Sequence, residues 1–140
     1  MDMVELGAAR LLTDDHNLRR VYPPTATSPY GGNRNAITSC LGSTASDEMT
    51  LARYGHPALE TQTVPFTGPA RLVLASDGAY EPHLDAGRDL FAELDGDRPA
   101  DSTRAFVDLA VETSIRASTA LDPSRPHADN ATVLLADLAS

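Results

Sequence analysis

The order of apolar and polar segments predicts an α+β fold with an antiparallel sheet. Two short apolar runs rich in β-branched or aliphatic residues, 71–76 and 132–136, are typical of buried strands. A third run, 59–66, precedes them, and the residues between the first two show helical spacing of apolar positions. Because strands and helices occupy separate stretches of the chain, the pattern favours an α+β fold.

The N-terminal part is predicted to contain a strand or strand remnant and a long loop. Residues 3–12 are mixed apolar and are expected to form a strand, followed by a polar break at 13–17. Residues 22–35 contain three prolines and two glycines, which predicts a loop. A loop of this length in a compact domain is usually a functional flap or a mobile segment.

The next predicted elements are a hairpin and two helices. A strand over 59–66, with Pro57 and Pro65 at its limits, is joined to the strand 71–76 by a turn at Gly68 and Pro69. The first helix is expected over 85–94.

The second helix is predicted to begin with a cap at Asp101 or Ser102 and to continue to about residue 118. A loop over 122–128, which contains Pro123 and Pro126, then leads into the last strand.

The composition narrows the class of partner. The 11 basic and 20 acidic residues give a net charge of −9, which argues against binding nucleic acid or an anionic membrane surface. The single cysteine, Cys40, excludes an internal disulfide and fits a cytoplasmic protein; we expect a buried thiol. No apolar stretch has the length of a membrane span, and the N-terminus has no signal-peptide pattern.

Two aspartates are the strongest candidate site residues. Asp77 follows the strand 71–76 and Asp129 precedes the last strand, so antiparallel pairing would bring them to one edge of the sheet. Converging carboxylates suit Mg²⁺ or Mn²⁺, which prefer oxygen ligands. Ser-Asp-Gly and Asp-Asn are also common turn sequences, so both a metal site and two plain turns remain open.

Other catalytic chemistries have little support in the sequence. The position six residues after Cys40 is Ser46, so the arginine of a cysteine phosphatase loop is absent. A Gly-x-Ser-x-Gly nucleophile elbow is also missing. The histidines show no zinc-ligand spacing and are expected to lie in loops; they are His16, His56, His83 and His127. Asp14 and Asp15 beside His16 are expected to face water.

Four segments carry motifs in order: Leu-Thr-Asp-Asp-His at 12–16, Ile-Thr-Ser-Cys-Leu-Gly at 37–42, Leu-Ala-Ser-Asp-Gly at 74–78 and Asp-Asn-Ala-Thr-Val at 129–133. Together they resemble the C-terminal half of the metal-dependent protein phosphatases of type 2C. The last two motifs are specific as an ordered pair, whereas the first two are weak alone. The composition and the proline-rich loop resemble bacterial members, and we expect residues 1–140 to form a single partial domain.

The resemblance implies a fold, a cofactor and a reaction. The family fold is an antiparallel β-sandwich with flanking helices. Asp77 and Asp129 would ligate one ion of a two-ion Mg²⁺ or Mn²⁺ centre, supported by the turns at Ser76, Gly78 and Asn130. A phosphoprotein would lose its serine or threonine phosphate to metal-activated water, so no side chain is expected to act as a catalytic nucleophile.

Several family motifs are missing from this sequence. The bridging aspartate, the Asp-Gly motif and the phosphate-binding arginine belong to an upstream stretch of the family fold. We therefore expect the C-terminal part of a truncated phosphatase that is inactive alone, with an oligomer or another segment covering the exposed sheet. The alternatives are a non-catalytic binding or regulatory module and a plain α+β domain whose turns mimic the motifs.

Overall fold

The computed structural model describes residues 9–139, and within them the chain forms five helices and two strands. The chain divides into two compact units, a first unit over Met1–Val64 and a second unit over Pro65–Ser140. The elements in chain order are α1 Leu18–Val21, α2 Asp47–Tyr54, β1 Ala70–Ala75, α3 Asp77–Asp85, α4 Leu90–Glu93, α5 Pro99–Leu121 and β2 Val133–Leu138.

The first unit contains two short helices, and polar side chains start both. Asn17 caps α1 by accepting a hydrogen bond from the Arg20 amide at 3.0 Å. Ser46 caps α2 by accepting from the Met49 amide at 3.2 Å, and Gly55 ends α2 with a φ of 79°. Residues 22–35 form a loop, as predicted.

Two predicted strands of the first unit are wrong where the structure describes them. Residues 9–12 are irregular, and the rest of the predicted strand 3–12 lies outside the described residues. Residues 59–66 are also irregular. Pro65 has no amide donor for a ladder, and the exposed Glu60 side chain is bound by Arg20 at 2.7 Å.

The second unit is an α+β arrangement built on a two-stranded antiparallel sheet. β1 and β2 pair from Ala70 opposite Leu138 to Ala75 opposite Val133. This pairing confirms that the end of the first predicted strand lies beside the start of the last one. The helices α3 and α5 pack together, and α5 contacts β2.

The core of the second unit lies between the helices and one face of the sheet. Its most buried members are Ala79, Leu94 and Phe106, and Val73 and Leu135 pack against them. On the other face, Leu74 is 57% exposed and its cross-strand partner Leu134 is 52% exposed. The prediction that both strands are buried is therefore wrong, because the helices cover only one face.

The predicted helix over 85–94 is wrong in its limits. Helix α3 begins at Asp77, directly after β1, and ends at Asp85, while α4 covers only Leu90–Glu93. Gly87, with a φ of 69°, lies in the turn between them. The second predicted helix is confirmed, but its predicted cap at Asp101 or Ser102 is wrong. Helix α5 follows Arg98, starts at Pro99, where a proline is favoured, and continues to Leu121.

Arg71 ties the sheet to the segment between α4 and α5. Its guanidinium donates to both carboxylate oxygens of Asp137 across the sheet, at 2.6 and 2.9 Å. It also donates to the carbonyl oxygens of Leu94 and Gly96, each at 2.8 Å. The hydrogen bond from Arg71 lowers the pKa of Asp137 below its ordinary value.

The longest helix of the described residues, α5, is amphipathic and carries charged side chains along its length. Within residues 9–139, no helix combines the length and the apolar character needed to cross a membrane.

Candidate functional site

The end of β1 and the entry to β2 are joined by hydrogen bonds through Ser76. The Ser76 amide donates to the Thr132 carbonyl at 2.9 Å, and the Thr132 amide donates to the Ser76 hydroxyl at 3.0 Å. The same hydroxyl donates to the Asn130 carbonyl at 3.2 Å. Ser76 precedes α3, yet its hydroxyl forms no cap bond to that helix. Its hydroxyl instead holds two distant segments together.

Gly78 lets these segments approach closely. A Cβ atom at Gly78 would lie 2.5 Å from the Asn130 carbonyl oxygen and 3.0 Å from the Asp129 Cβ, so a larger residue would force the backbone apart. Asp129 therefore lies against the residue that follows Asp77. We call Ser76, Asp77, Gly78, Asp129 and Asn130 the sheet-edge site.

The two aspartates have matching local roles. Each is exposed. Asp77 Oδ1 accepts a hydrogen bond from the Gly78 amide at 2.8 Å, and Asp129 Oδ1 accepts from the Asn130 amide at 2.7 Å. Asp77 is also the first residue of α3, where the helix dipole favours a negative charge. Each carboxylate therefore accepts a local backbone hydrogen bond, which is the role expected if Asp77 and Asp129 are plain turn residues and not metal ligands.

The donor atoms of the sheet-edge site suit a hard cation, but they are few. Carboxylate oxygens are ligands that Mg²⁺ and Mn²⁺ prefer. Within residues 9–139, no group of three or more His, Cys, Asp or Glu side chains is placed to hold a metal ion. Asp77 and Asp129 can therefore supply only a partial coordination shell, and water would have to supply the rest.

Cys40 is exposed, so the prediction of a buried thiol is wrong. It lies in an irregular segment and lines an open cavity of about 860 Å³ in the first unit. Asp14 and Asp15 line the same cavity and are exposed, as expected.

The prediction of loop histidines holds for His16, His56 and His127 and is wrong for His83. His83 lies inside α3 and is fully buried, with Nε2 2.9 Å from the Phe106 carbonyl oxygen of α5. His56 lies outside the helices of the first unit but is also buried. Burial against carbonyl and hydroxyl groups, which spacing along the chain does not show, gives these rings fixed positions.

His16 belongs to a cluster that the sequence did not indicate. Its Nδ1 lies 2.5 Å from the Ser39 hydroxyl and its Nε2 lies 2.9 Å from a Glu60 carboxylate oxygen. Arg20 donates to both oxygens of that carboxylate, at 2.7 and 2.8 Å. The hydrogen bonds from Arg20 and from His16 lower the pKa of Glu60 from its ordinary 4.5 to about 2. The bonded pairs of this cluster are 23 to 44 positions apart in the sequence, so no short motif contains them.

The four motif segments form two pairs in space. The Thr38 amide donates to the His16 carbonyl at 2.8 Å, which joins 12–16 to 37–42, while Ser76 joins 74–78 to 129–133. Comparison with protein-family models, curated proteins and solved structures finds no match to the chain. Function therefore has to be inferred from the chemistry and geometry of these side chains.

Proposed function

We propose that this chain is the C-terminal part of a Mg²⁺- or Mn²⁺-dependent protein serine/threonine phosphatase of the type 2C kind. The observation that carries the proposal is the close approach of Gly78 to Asp129 and Asn130, which puts both aspartates at one end of the sheet. The ordered Ser-Asp-Gly and Asp-Asn-x-Thr motifs agree with it. The protein would act in the bacterial cytoplasm on a phosphoprotein.

The exposed face of the sheet supports the proposed β-sandwich. Leu74 and Leu134 face each other across β1 and β2, and each is more than half exposed. A paired apolar surface of this kind is normally covered by another layer. In the proposal, a second sheet, from another segment or from a second copy of the chain, packs on this face.

The residues of the sheet-edge site have different roles in the proposal. Asp77 and Asp129 would hold one ion, while Ser76 and Gly78 keep the two aspartate-bearing segments in contact. When bound, the ion supplies Lewis-acid chemistry that makes water a nucleophile. No side chain of the sheet-edge site is needed as a covalent nucleophile.

Binding of Mn²⁺ tests the proposal directly. Paramagnetic Mn²⁺ added to ¹⁵N-labelled protein should broaden the amide signals of Gly78 and Asn130 first, because these amides hydrogen-bond the two carboxylates. The expected affinity is weak, in the millimolar range typical of sparse carboxylate sites. Asp77→Asn combined with Asp129→Asn should abolish the selective broadening.

Asp108→Asn is the matched control, because Asp108 is an exposed aspartate of α5. Adding Asp101→Asn, in the first turn of the same helix, makes the control lose two negative charges, as the sheet-edge variant does. Broadening that is equal in this control and in the sheet-edge variant would show nonspecific attraction of Mn²⁺ to an acidic protein and would contradict the proposal.

A further inference from the structure

Three side chains of the first unit form a hydrogen-bonded line that ends at a cavity. The line runs from the Ser39 hydroxyl through His16 to the Glu60 carboxylate, over distances of 2.5 and 2.9 Å. All three residues line the cavity of about 860 Å³. We propose that Ser39 is a nucleophile, His16 its general base and Glu60 the residue that positions His16, and that the site hydrolyses small neutral carboxylic esters.

The charge of Glu60 sets the tautomer of His16. The hydrogen bonds from Arg20 and His16 hold the pKa of Glu60 at about 2, so near neutral pH it is a carboxylate and can only accept. His16 Nε2 must then carry the proton that it donates to Glu60. In the neutral ring this leaves Nδ1 as an acceptor for the Ser39 hydroxyl, which is the arrangement that a general base needs.

A second histidine holds the His16 ring in place. The rings of His16 and His56 are stacked, with centroids 4.5 Å apart. His56 Nδ1 lies 2.8 Å from the Pro57 carbonyl oxygen, which only accepts, so this nitrogen carries a proton. Its Nε2 lies 2.9 Å from the Thr38 hydroxyl. His56 is buried and bonded at both nitrogens, so it is a fixed surface against which His16 packs.

The volume and the lining residues of the cavity favour one class of substrate. Its volume is in the range of small-molecule sites, about 300–1,000 Å³. Leu12, Leu41 and Leu59 line the cavity, and Leu41 and Leu59 are largely exposed, so it is an open cleft that offers a short acyl group apolar contact without enclosing it. Among the described residues that line it, the charged ones are the acidic Asp14, Asp15 and Glu60, and none is an arginine. An anionic phosphoester would be repelled there, whereas a neutral ester would not.

The reaction balances without a cofactor. The Ser39 oxygen bonds to the ester carbonyl carbon as its proton moves to His16 Nδ1. The carbon–oxygen bond to the leaving alcohol then breaks, and the alcohol oxygen takes the proton from His16. Water attacks the resulting acyl-serine, gives a proton to His16, and Ser39 leaves with that proton. The products are a carboxylic acid and an alcohol.

Hydrolysis of p-nitrophenyl acetate and labelling by a fluorophosphonate test the proposal. Both use a Cys40→Ala background, because the exposed Cys40 thiol lines the same cavity and reacts with activated esters. Blocking Cys40 with iodoacetamide in the natural chain provides the same test without a substitution. The phosphonyl group should appear on Ser39, mapped by peptide mass spectrometry, with loss of fluoride.

Ser39→Ala and His16→Gln should each lower kcat/KM at least about 100-fold, the usual size of a general-base contribution. Glu60→Gln should lower kcat at least about 10-fold with KM unchanged, because the carboxylate acts on the imidazolium that forms in the transition state. Ser43→Ala is the matched control: it lies near Ser39, and its hydroxyl accepts only from the Ala45 amide, at 3.2 Å, among the bonds described.

Two results would overturn the proposal. One is label on residues other than Ser39, or no label, in the folded Cys40→Ala protein. The other is hydrolysis that survives Ser39→Ala, since His16 would then attack the ester directly. Circular dichroism of each variant separates lost chemistry from lost structure.

Discussion

At the scale of single residues, Asp77 and Asp129 each have two roles: a proposed metal ligand and an acceptor of a local backbone hydrogen bond. Both accept the amide of the following residue, at 2.8 and 2.7 Å. An asparagine side chain keeps a carbonyl oxygen in the same place, whereas the charge is lost. Substitution at Asp129 therefore separates the turn function from the charge.

We expect Asp129→Asn to leave the free energy of unfolding unchanged or to raise it in metal-free buffer. The amide oxygen can still accept from Asn130, and the repulsion between neighbouring like charges at Asp77 and Asp129 is removed. Urea denaturation in the presence of a chelator measures the effect. Asp129→Ala is the control and should lose about 0.5–1.5 kcal/mol with the hydrogen bond. A clear loss in Asp129→Asn would mean that the turn needs the charge.

The lowered pKa of Glu60 predicts how the stability of the protein depends on pH. Its pKa is lowered from 4.5 to about 2, mainly by the hydrogen bond from Arg20. Because the folded-state pKa is the lower one, the stability that the pair contributes is fully present above about pH 4.5 and is lost as the pH falls through about 2. The ¹³C shift of the Glu60 carboxyl carbon, followed against pH, should show a midpoint near 2.

Arg20→Gln should move that midpoint upward toward 4.5, because the largest cause of the shift is removed. Arg53→Gln is the matched control, since Arg53 lies over the Tyr54 ring, 5.2 Å from its centroid, and is not a cause of the shift. A midpoint near 4.5 in the natural chain would show that the Arg20–Glu60 pair does not persist in solution.

At the scale of elements, His83 links three helices of the second unit. From α3, its Nε2 meets the Phe106 carbonyl oxygen of α5 at 2.9 Å, and its ring stacks on the Phe106 ring with centroids 3.9 Å apart. Its Nδ1 lies 2.5 Å from a Glu93 oxygen of α4, close enough for an ion pair but not aligned as a hydrogen bond.

We expect His83→Ala to lower the free energy of unfolding by about 2–4 kcal/mol, because it opens a cavity and removes both the hydrogen bond to the Phe106 carbonyl and the contact with Glu93. Guanidinium denaturation followed by circular dichroism provides the measurement. His127→Ala, at an exposed position, should change stability by less than about 0.5 kcal/mol. Equal effects of the two substitutions would refute the assignment of His83 as the link between the helices.

At the scale of the whole molecule, the proposal makes a prediction about activity. We expect the 140-residue chain to show no turnover of p-nitrophenyl phosphate with Mn²⁺, because the sheet-edge site offers two carboxylates and the sequence has no Asp-Gly-x-Gly-Gly motif to complete a two-ion centre. A colour assay for released p-nitrophenol at several Mn²⁺ concentrations measures it. Turnover well above buffer that Asp77→Asn abolishes would show that the chain assembles a complete site, for example as an oligomer.

The sequence by itself determined the elements that have strong local signals. The apolar runs predicted β1 and β2, and because one aspartate follows its strand and the other precedes its strand, antiparallel pairing was enough to bring Asp77 and Asp129 to one edge. Helix α5 was predicted from its apolar stripe. The sequence also contains signals for helix α2, namely Ser46 as a cap, two acidic residues in the first turn and Gly55 at the end.

Only the tertiary structure decided the rest, because the deciding contacts join distant residues. Helix α3 contains Gly78 and Pro82, which disfavour a helix locally, and forms where Ser76 is bonded to Asn130 and Ala79 enters the core. The line from Ser39 through His16 to Glu60 joins residues 23 and 44 positions apart. Periodicity reports which residues share a face of one element, whereas a side-chain cluster depends on how separate segments pack, and that packing is settled only when the chain folds.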